Sequence, residues 1–305
     1  MVKYAAVINM KEQLKGSIYL LLATVIWGSA FVAQSVGMDH IGPFTFQASR
    51  CACALVALLP MIALMDRRKC DDKTFFSRWA VPQLWKAGIP CGIALFAATG
   101  LQQVGLVYTD PGKAGFITAM YIVIVPLLGL FFRKRVGLRI WISVALAVAG
   151  LYLLSAVGVS RINLGDILTM LCAVAFAVQI TLIDRMGQEL DGIRLNFVQF
   201  LVNALLSACA MLLLEQPRLE AILSCAVPLL YTGVLSSGVA YSLQIMGQQR
   251  LNPEPASLIM SLESVFAVLS GWLVLGQTLS PMETLGSALV FSAVILSQLQ
   301  PKKSR

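Results

Sequence analysis

The chain has 305 residues, 58% of them hydrophobic and only 12% charged, about half the charged share of a soluble domain. That excess of apolar surface excludes an ordinary globular core. The formal charge of +8 would suit a nucleic-acid binder, but its distribution argues against one.

The apolar residues fall in ten blocks, at about 17–37, 43–65, 86–107, 114–133, 139–158, 165–183, 195–214, 226–248, 256–275 and 283–299. Each is close to the roughly 20 residues that cross a hydrocarbon core as a helix. The predicted fold class is all-α integral membrane, with ten transmembrane helices. With the N-terminus cytoplasmic, 19 of the 23 Lys and Arg fall on cytoplasmic segments, among them Arg67, Arg68, Lys69, Arg133, Lys134, Arg135, Arg194 and Arg250. Lys113, Arg161 and Arg218 fall outside, and Arg50 lies within a span. This is the positive-inside bias, so the basic balance reads as topology and as contact with the lipid bilayer. Both termini are expected in the cytoplasm of a multi-pass inner (plasma) membrane protein.

Residues 1–16 are expected to form a cytoplasmic tail with no cleavable signal peptide, and Met10-Lys11-Glu12 would make a natural start. The second span holds Gln47 and Arg50, three apart on one helix face. It also holds Cys51 and Cys53, which point to different faces. The seven cysteines show no metal-ligand spacing and are expected to be structural or inert; Cys70 is placed in a cytoplasmic loop. That loop, about 66–85, is the longest, and it leaves no room for a separate soluble domain. The third span carries Gly88 and Gly92, and the eighth Gly233 and Ser237, at the spacing that lets helices approach closely. Pro60, Pro90 and Pro126 are expected to kink their helices.

An internal repeat organises the chain. At a constant offset Leu101 matches Leu243, Gln102 matches Gln244, Gly105 matches Gly247, Pro111 matches Pro253, Ala114 matches Ala256 and Ile117 matches Ile259. Asp110-Pro111 and Asn252-Pro253 each place an Asx cap before a proline, so each starts a helix. Two halves of five spans, 17–158 and 165–299, must enter the membrane with opposite orientations, and 300–305 is a cytoplasmic tail. Two inverted five-helix repeats are a transporter architecture, with a site near the midplane.

Intramembrane polar groups are functional candidates by default. Arg50 and Glu263 are the two charged ones, and Tyr121 is the repeat mate of Glu263. A carboxyl within the membrane is a candidate proton carrier. Gln47, Gln102, Gln103, Gln179, Gln199, Asn203 and Gln244 are amides within spans. Such amides most often join helices, at about 0.6–2 kcal/mol each. Trp27, Phe31, Tyr121, Tyr241 and Trp272 are candidate pocket aromatics, although aromatics in spans more often pack or anchor.

Trp27-Gly28-Ser29-Ala30-Phe31 resembles the motif that opens ten-helix members of the drug/metabolite transporter superfamily, the EamA-like permeases. Leu251-Asn252-Pro253-x-x-Ala256, Leu262-Glu263-Ser264-Val265-Phe266-Ala267 and Leu273-x-Leu275-Gly276-Gln277 are similar to the same family. The family often has Glu-Pro at Glu263-Ser264 and Gly-Glu at Gly276-Gln277. The resemblance implies an inner-membrane carrier, often an exporter of amino acids, other metabolites or toxic compounds.

The resulting expectation is a secondary transporter of small molecules, with substrate or coupling residues Glu263, Arg50, Tyr121, Gln47, Gln102, Gln244, Trp27, Gln199 and Asn203. It needs no cofactor or metal. No Gly-Lys-Ser/Thr phosphate loop occurs, so coupling would use a proton, a sodium ion or exchange. The alternatives are a membrane-embedded enzyme acting on lipid, which the single histidine makes a poor fit, and a non-transporting scaffold or sensor.

Overall fold

The computed structural model describes residues 10–38, 40–67, 75–109, 111–133, 136–155, 163–275 and 280–299. Cys70, Asp110, Gly276 and Gln277 lie outside the described residues.

Every described element is a helix. In the first half they are α1 (Met10–Met38), α2 (Pro43–Arg67), α3 (Phe75–Trp79), α4 (Pro82–Gly105), α5 (Pro111–Thr118), α6 (Tyr121–Phe131) and α7 (Leu138–Ser155). In the second half they are α8 (Leu164–Met186), α9 (Gly192–Leu214), α10 (Leu219–Ser224), α11 (Ala226–Leu230), a π-helical segment (Tyr231–Ala240), α12 (Tyr241–Gln248), α13 (Pro253–Met260), α14 (Leu262–Leu275) and α15 (Pro281–Gln298). Among the described residues, seven stretches are long and apolar enough to cross a membrane: Met10–Met38, Pro43–Arg67, Pro82–Gly105, Lys113–Phe131, Leu164–Met186, Gly192–Leu214 and Ala226–Gln248. The blocks expected at 139–158, 256–275 and 283–299 fall on shorter helices. Leucines and isoleucines cover the outside, with Leu212, Leu213 and Leu214 largely exposed, as suits a lipid-facing surface. The chain is a multi-pass membrane protein.

The two halves pack mainly on each other. α4 lies against α8 and α9, α2 against α9, α1 against α14 and α12, and α7 against α15. Three of these crossings are made by glycine pairs. A Cβ on Gly16 would lie 3.0 Å from the carbonyl oxygen of Gly247, and one on Gly247 would lie 3.0 Å from that of Gly16. The Gly105–Gly165 pair gives 3.2 and 2.6 Å, and the Gly150–Gly286 pair gives 2.7 and 2.6 Å. No side chain fits at such separations, which lets the backbones meet. Gly88 and Gly92 admit Val198 and Val202 of α9, and Gly233 admits Cys53 and the backbone of Arg50.

The fourth and ninth predicted spans are each interrupted. Met120 N–H turns back to the Ile117 carbonyl at 3.1 Å, and Ile122 N–H to Ala119 at 3.1 Å. Ser261 lies between α13 and α14, and Ser264 N–H bonds back to it at 3.2 Å. These are tight 3₁₀-type steps within otherwise α-helical runs. α5 and α13 begin at Pro111 and Pro253 as expected. The Asn252 side chain, however, makes no cap hydrogen bond. Proline's preset backbone starts that helix, because φ is already helical there, and the expected side-chain cap is corrected.

The bundle is tied at both ends. Where α2 finishes and α9 starts, Arg194 bridges Asp66 and Asp191, the latter at 2.9 Å, and Arg78 lies 3.8 Å from Asp66. Arg250 joins Glu12 of α1 at 3.0 Å on the same side. Where α2 starts and α9 finishes, Glu215 accepts from the backbone N–H groups of Phe44 and Thr45, both at 2.8 Å, and from the Thr45 hydroxyl at 2.6 Å. Nearby, Asp166 accepts from Lys113 at 2.6 Å and from Thr109 at 2.8 Å, tying the start of α8 to the first half.

Candidate functional site

A cavity of about 520 Å³, its open mouth included, lies between the two halves. α1 supplies Trp27, Phe31 and Gln34, α2 supplies Arg50 and α4 supplies Gln102; Tyr121 comes from α6 and Phe176 and Ile180 from α8. The second half adds Ser236 from the π-helical segment, Tyr241 and Gln244 from α12, Met260 from α13 and Glu263 from α14.

Both charged residues predicted within spans therefore reach one chamber. Arg50 is 3% exposed, and its Nη1 donates to Gln34 Oε1 at 2.9 Å. Its Nε has no partner, and Arg50 forms no ion pair among the described residues. A buried guanidinium with no carboxylate partner is an uncommon arrangement. Glu263 sits two residues beyond the Ser261 step, and Tyr121 begins α6 just after the corresponding step. The Tyr121 hydroxyl donates to Glu263 Oε1 at 3.5 Å, at the long limit of a hydrogen bond. The steps place these side chains because a local change of helical period rotates everything after it.

Aromatic rings frame the chamber. Trp27 meets Tyr241 edge-on at 4.8 Å between centroids, Phe200 meets Tyr241 at 5.2 Å, and Tyr121 meets Phe176 at 6.5 Å. Such edge-on pairs hold rings in fixed orientations. Trp272, a candidate for this lining, is instead 46% exposed on the outside of the bundle.

The repeat mates Gln102 and Gln244 both line the cavity, and Gln102 donates to Thr118 Oγ1 at 3.3 Å. The other amides within spans, Gln47, Gln103, Gln179, Gln199 and Asn203, do not line it. Gln47 donates to Thr99 and, at 3.1 Å, to Asn203 Oδ1, and Asn203 donates to Thr99 at 3.3 Å and accepts from Ser207 at 3.0 Å. This knot welds α2, α4 and α9 behind the cavity wall. Gln199 accepts from Gln179 at 3.2 Å and donates to Asn196 at 2.8 Å. Helix rotation decides the matter: Gln47 and Arg50 share a broad face of α2, yet one turns to α9 and the other to the chamber. Gln34, Ser236 and Asn196 were not singled out from the sequence. The signal for Gln34 and Asn196 was there: Gln34 is the lone amide of the first apolar block, and Asn196 shares its block with Gln199 and Asn203.

The EamA-like transporter family matches residues 14–156 and again residues 163–299. An uncharacterized transporter of Archaeoglobus fulgidus is 32% identical over 290 residues, spanning 95% of this chain and 87% of that one. The uncharacterized transporter YwfM of Bacillus subtilis is 28% identical over 302 residues, spanning 96% and 97%. The threonine/homoserine exporter RhtA of Escherichia coli is 31% identical over 179 residues, 57% of this chain and 59% of that protein. One crystal structure superposes with a TM-score of 0.74 at 17% identity, over 92% of this chain and 95% of its own, which establishes a shared fold. Two consecutive matches that together span nearly the whole chain place it in the EamA-like transporter family, within the drug/metabolite transporter superfamily.

Proposed function

We propose that this chain is a secondary transporter that exports a small amphiphilic or zwitterionic metabolite, such as an amino acid, across the inner membrane. In this reading it is built of ten spans in two inverted five-helix repeats, 17–158 and 165–299, with both termini cytoplasmic, and it is not an enzyme. The observation that carries the reading is the joint lining of one inter-half cavity by Arg50, Glu263 and the repeat mates Gln102 and Gln244.

The packing supports the repeat. Exchanging equivalent helices between halves turns the α4–α8 crossing into the α12–α1 crossing, and each is made by a glycine pair that includes Gly105 or its mate Gly247. Both halves carry a helix step at matching positions, and broken helices at a midplane site are a feature of inverted-repeat carriers. Arg50 suits an anionic group of the substrate, the aromatic rings suit its apolar part, and Glu263 suits a cationic group or a coupling proton. The partial likeness to the threonine/homoserine exporter RhtA points the same way.

The test is substrate-induced thermal stabilisation of the purified protein over a metabolite panel, followed by counterflow of the stabilising compounds in reconstituted vesicles. Stabilisation that vanishes in Arg50→Met is the expected result. Counterflow undiminished by Arg50→Met would refute the assignment of the cavity. Reporter fusions at the C-terminus and near Ser160 should report opposite sides of the membrane; the same side would refute the ten-span topology.

A further inference from the structure

Four buried amides run from the π-helical segment to the cavity, and their hydrogen-bond polarity is set at one end. Asn196 Nδ2 lies 3.1 Å from the carbonyl oxygens of both Ser237 and Gly238. It also lies 2.9 Å from Ser242 Oγ, whose own hydroxyl proton is given to Gly238 at 2.7 Å. Carbonyl oxygens only accept, so Asn196 must present its NH₂ group there. Its Oδ1 then accepts from Gln199 Nε2 at 2.8 Å. Gln199 Oε1 is left to accept from Gln179 Nε2 at 3.2 Å, and Gln179 Oε1 to accept from Gln244 Nε2 at 3.2 Å. Each amide has one donating and one accepting end, so a choice forced at Asn196 passes along the whole row. The row ends at Gln244, a cavity residue only 2% exposed, whose Oε1 has no partner.

We propose that Asn196 is a positioning residue: by donating into the π-helical carbonyls it fixes the polarity of the Asn196–Gln199–Gln179–Gln244 row, so that the cavity presents the Gln244 carbonyl oxygen to a hydrogen-bond donor of the transported molecule. The donor clause rests on the reading of the cavity as the substrate site. The polarity clause does not. An ammonium, hydroxyl or amide N–H satisfies Gln244 Oε1. A group of the same charge without a polar hydrogen leaves it buried and unpaired, which is costly.

The polarity clause is tested with the full chain in nanodiscs, labelled with ¹⁵N-glutamine side chains. Gln179→Leu cuts the row at its centre. The Gln244 amide signal should then split or broaden, while Gln199, still held by Asn196, shifts with its lost neighbour but stays a single sharp signal. Asn196→Leu should unsettle Gln199, Gln179 and Gln244 together and leave Gln47, in its separate knot, unchanged. A Gln199 signal that splits or broadens as Gln244 does in Gln179→Leu would overturn the assignment of Asn196 as the source of polarity, and that variant keeps the test decisive should Asn196→Leu not fold. The donor clause is tested by equilibrium binding of L-valine and of its N,N,N-trimethyl derivative, which keeps the charge and removes every polar hydrogen. Valine should bind about 10- to 100-fold more tightly to the wild type, and the ratio should collapse toward one in Gln179→Leu. Equal affinity for the two probes overturns donor recognition. Binding of neither overturns the cavity as a site for such a ligand, and the labelling experiment decides the row by itself.

Discussion

Replacing Glu215 with Gln isolates the charge at one end of the bundle. The Glu215 carboxylate takes two backbone N–H groups at the start of α2 and the Thr45 hydroxyl, all at 2.6–2.8 Å. A carboxylate there satisfies donors that no helix can satisfy internally and opposes the positive end of the helix dipole. Gln keeps the shape, but in either orientation its NH₂ group faces one backbone N–H. One charge-assisted bond, worth about 1.5–3 kcal/mol, is lost, and the dipole contribution of about 0.3–1 kcal/mol goes with it. Glu215 is only half-buried, so water recovers part, and Glu215→Gln should cost about 2 kcal/mol. Reversible SDS-induced unfolding in mixed micelles, followed by far-UV circular dichroism, measures it. Gln216→Ala, an exposed neighbour, should stay within about 0.5 kcal/mol of wild type. A double-mutant cycle with Thr45→Ala should give a coupling of about 0.5 kcal/mol or more. A Glu215→Gln variant as stable as Gln216→Ala, or zero coupling to Thr45, would refute the clamp between α9 and α2.

Glu263→Gln keeps shape and hydrogen bonding but removes titration, so reconstituted vesicles should lose proton-driven accumulation and retain exchange; full gradient-driven transport by the variant would leave Glu263 a packing residue. Gly165→Ala places a Cβ 2.6 Å from a backbone oxygen of Gly105 and should destabilise by about 1–3 kcal/mol, whereas Gly100→Ala, with its nearest neighbour at 3.6 Å, should be neutral or better in the same unfolding assay. Asn252→Ala should cost under about 0.5 kcal/mol because no cap bond is lost. Ser280→Ala, which breaks the Ser280–Glu283 capping box, should cost about 0.5–2 kcal/mol, and equal losses would show that the two helix starts are held alike.

The sequence by itself determined the class of this protein and most of the cast of its cavity. Apolar blocks of membrane length appear as helices because the backbone must bond internally wherever lipid surrounds it. Arg50, Glu263, Tyr121, Gln102, Gln244 and Trp27 were legible because a polar or aromatic group within an apolar run is costly enough to stand out by type alone. The repeat was legible for a related reason: Gly105 and Gly247 recur where two backbones must meet, and no other residue fits. Only the tertiary structure decided which way each polar side chain faces. One turn of α2 separates Gln47, knotted to Thr99 and Asn203, from Arg50 in the chamber. Gln199 and Asn203, four apart on α9, join different networks. The Asn252 side chain sits at a correct helix start without capping it, and Glu215, unremarkable at a span end, clamps a helix that begins about 170 residues earlier. Residue type sets what a buried polar group costs. Helix rotation and long-range neighbours set what satisfies it, and neither is written in local spacing.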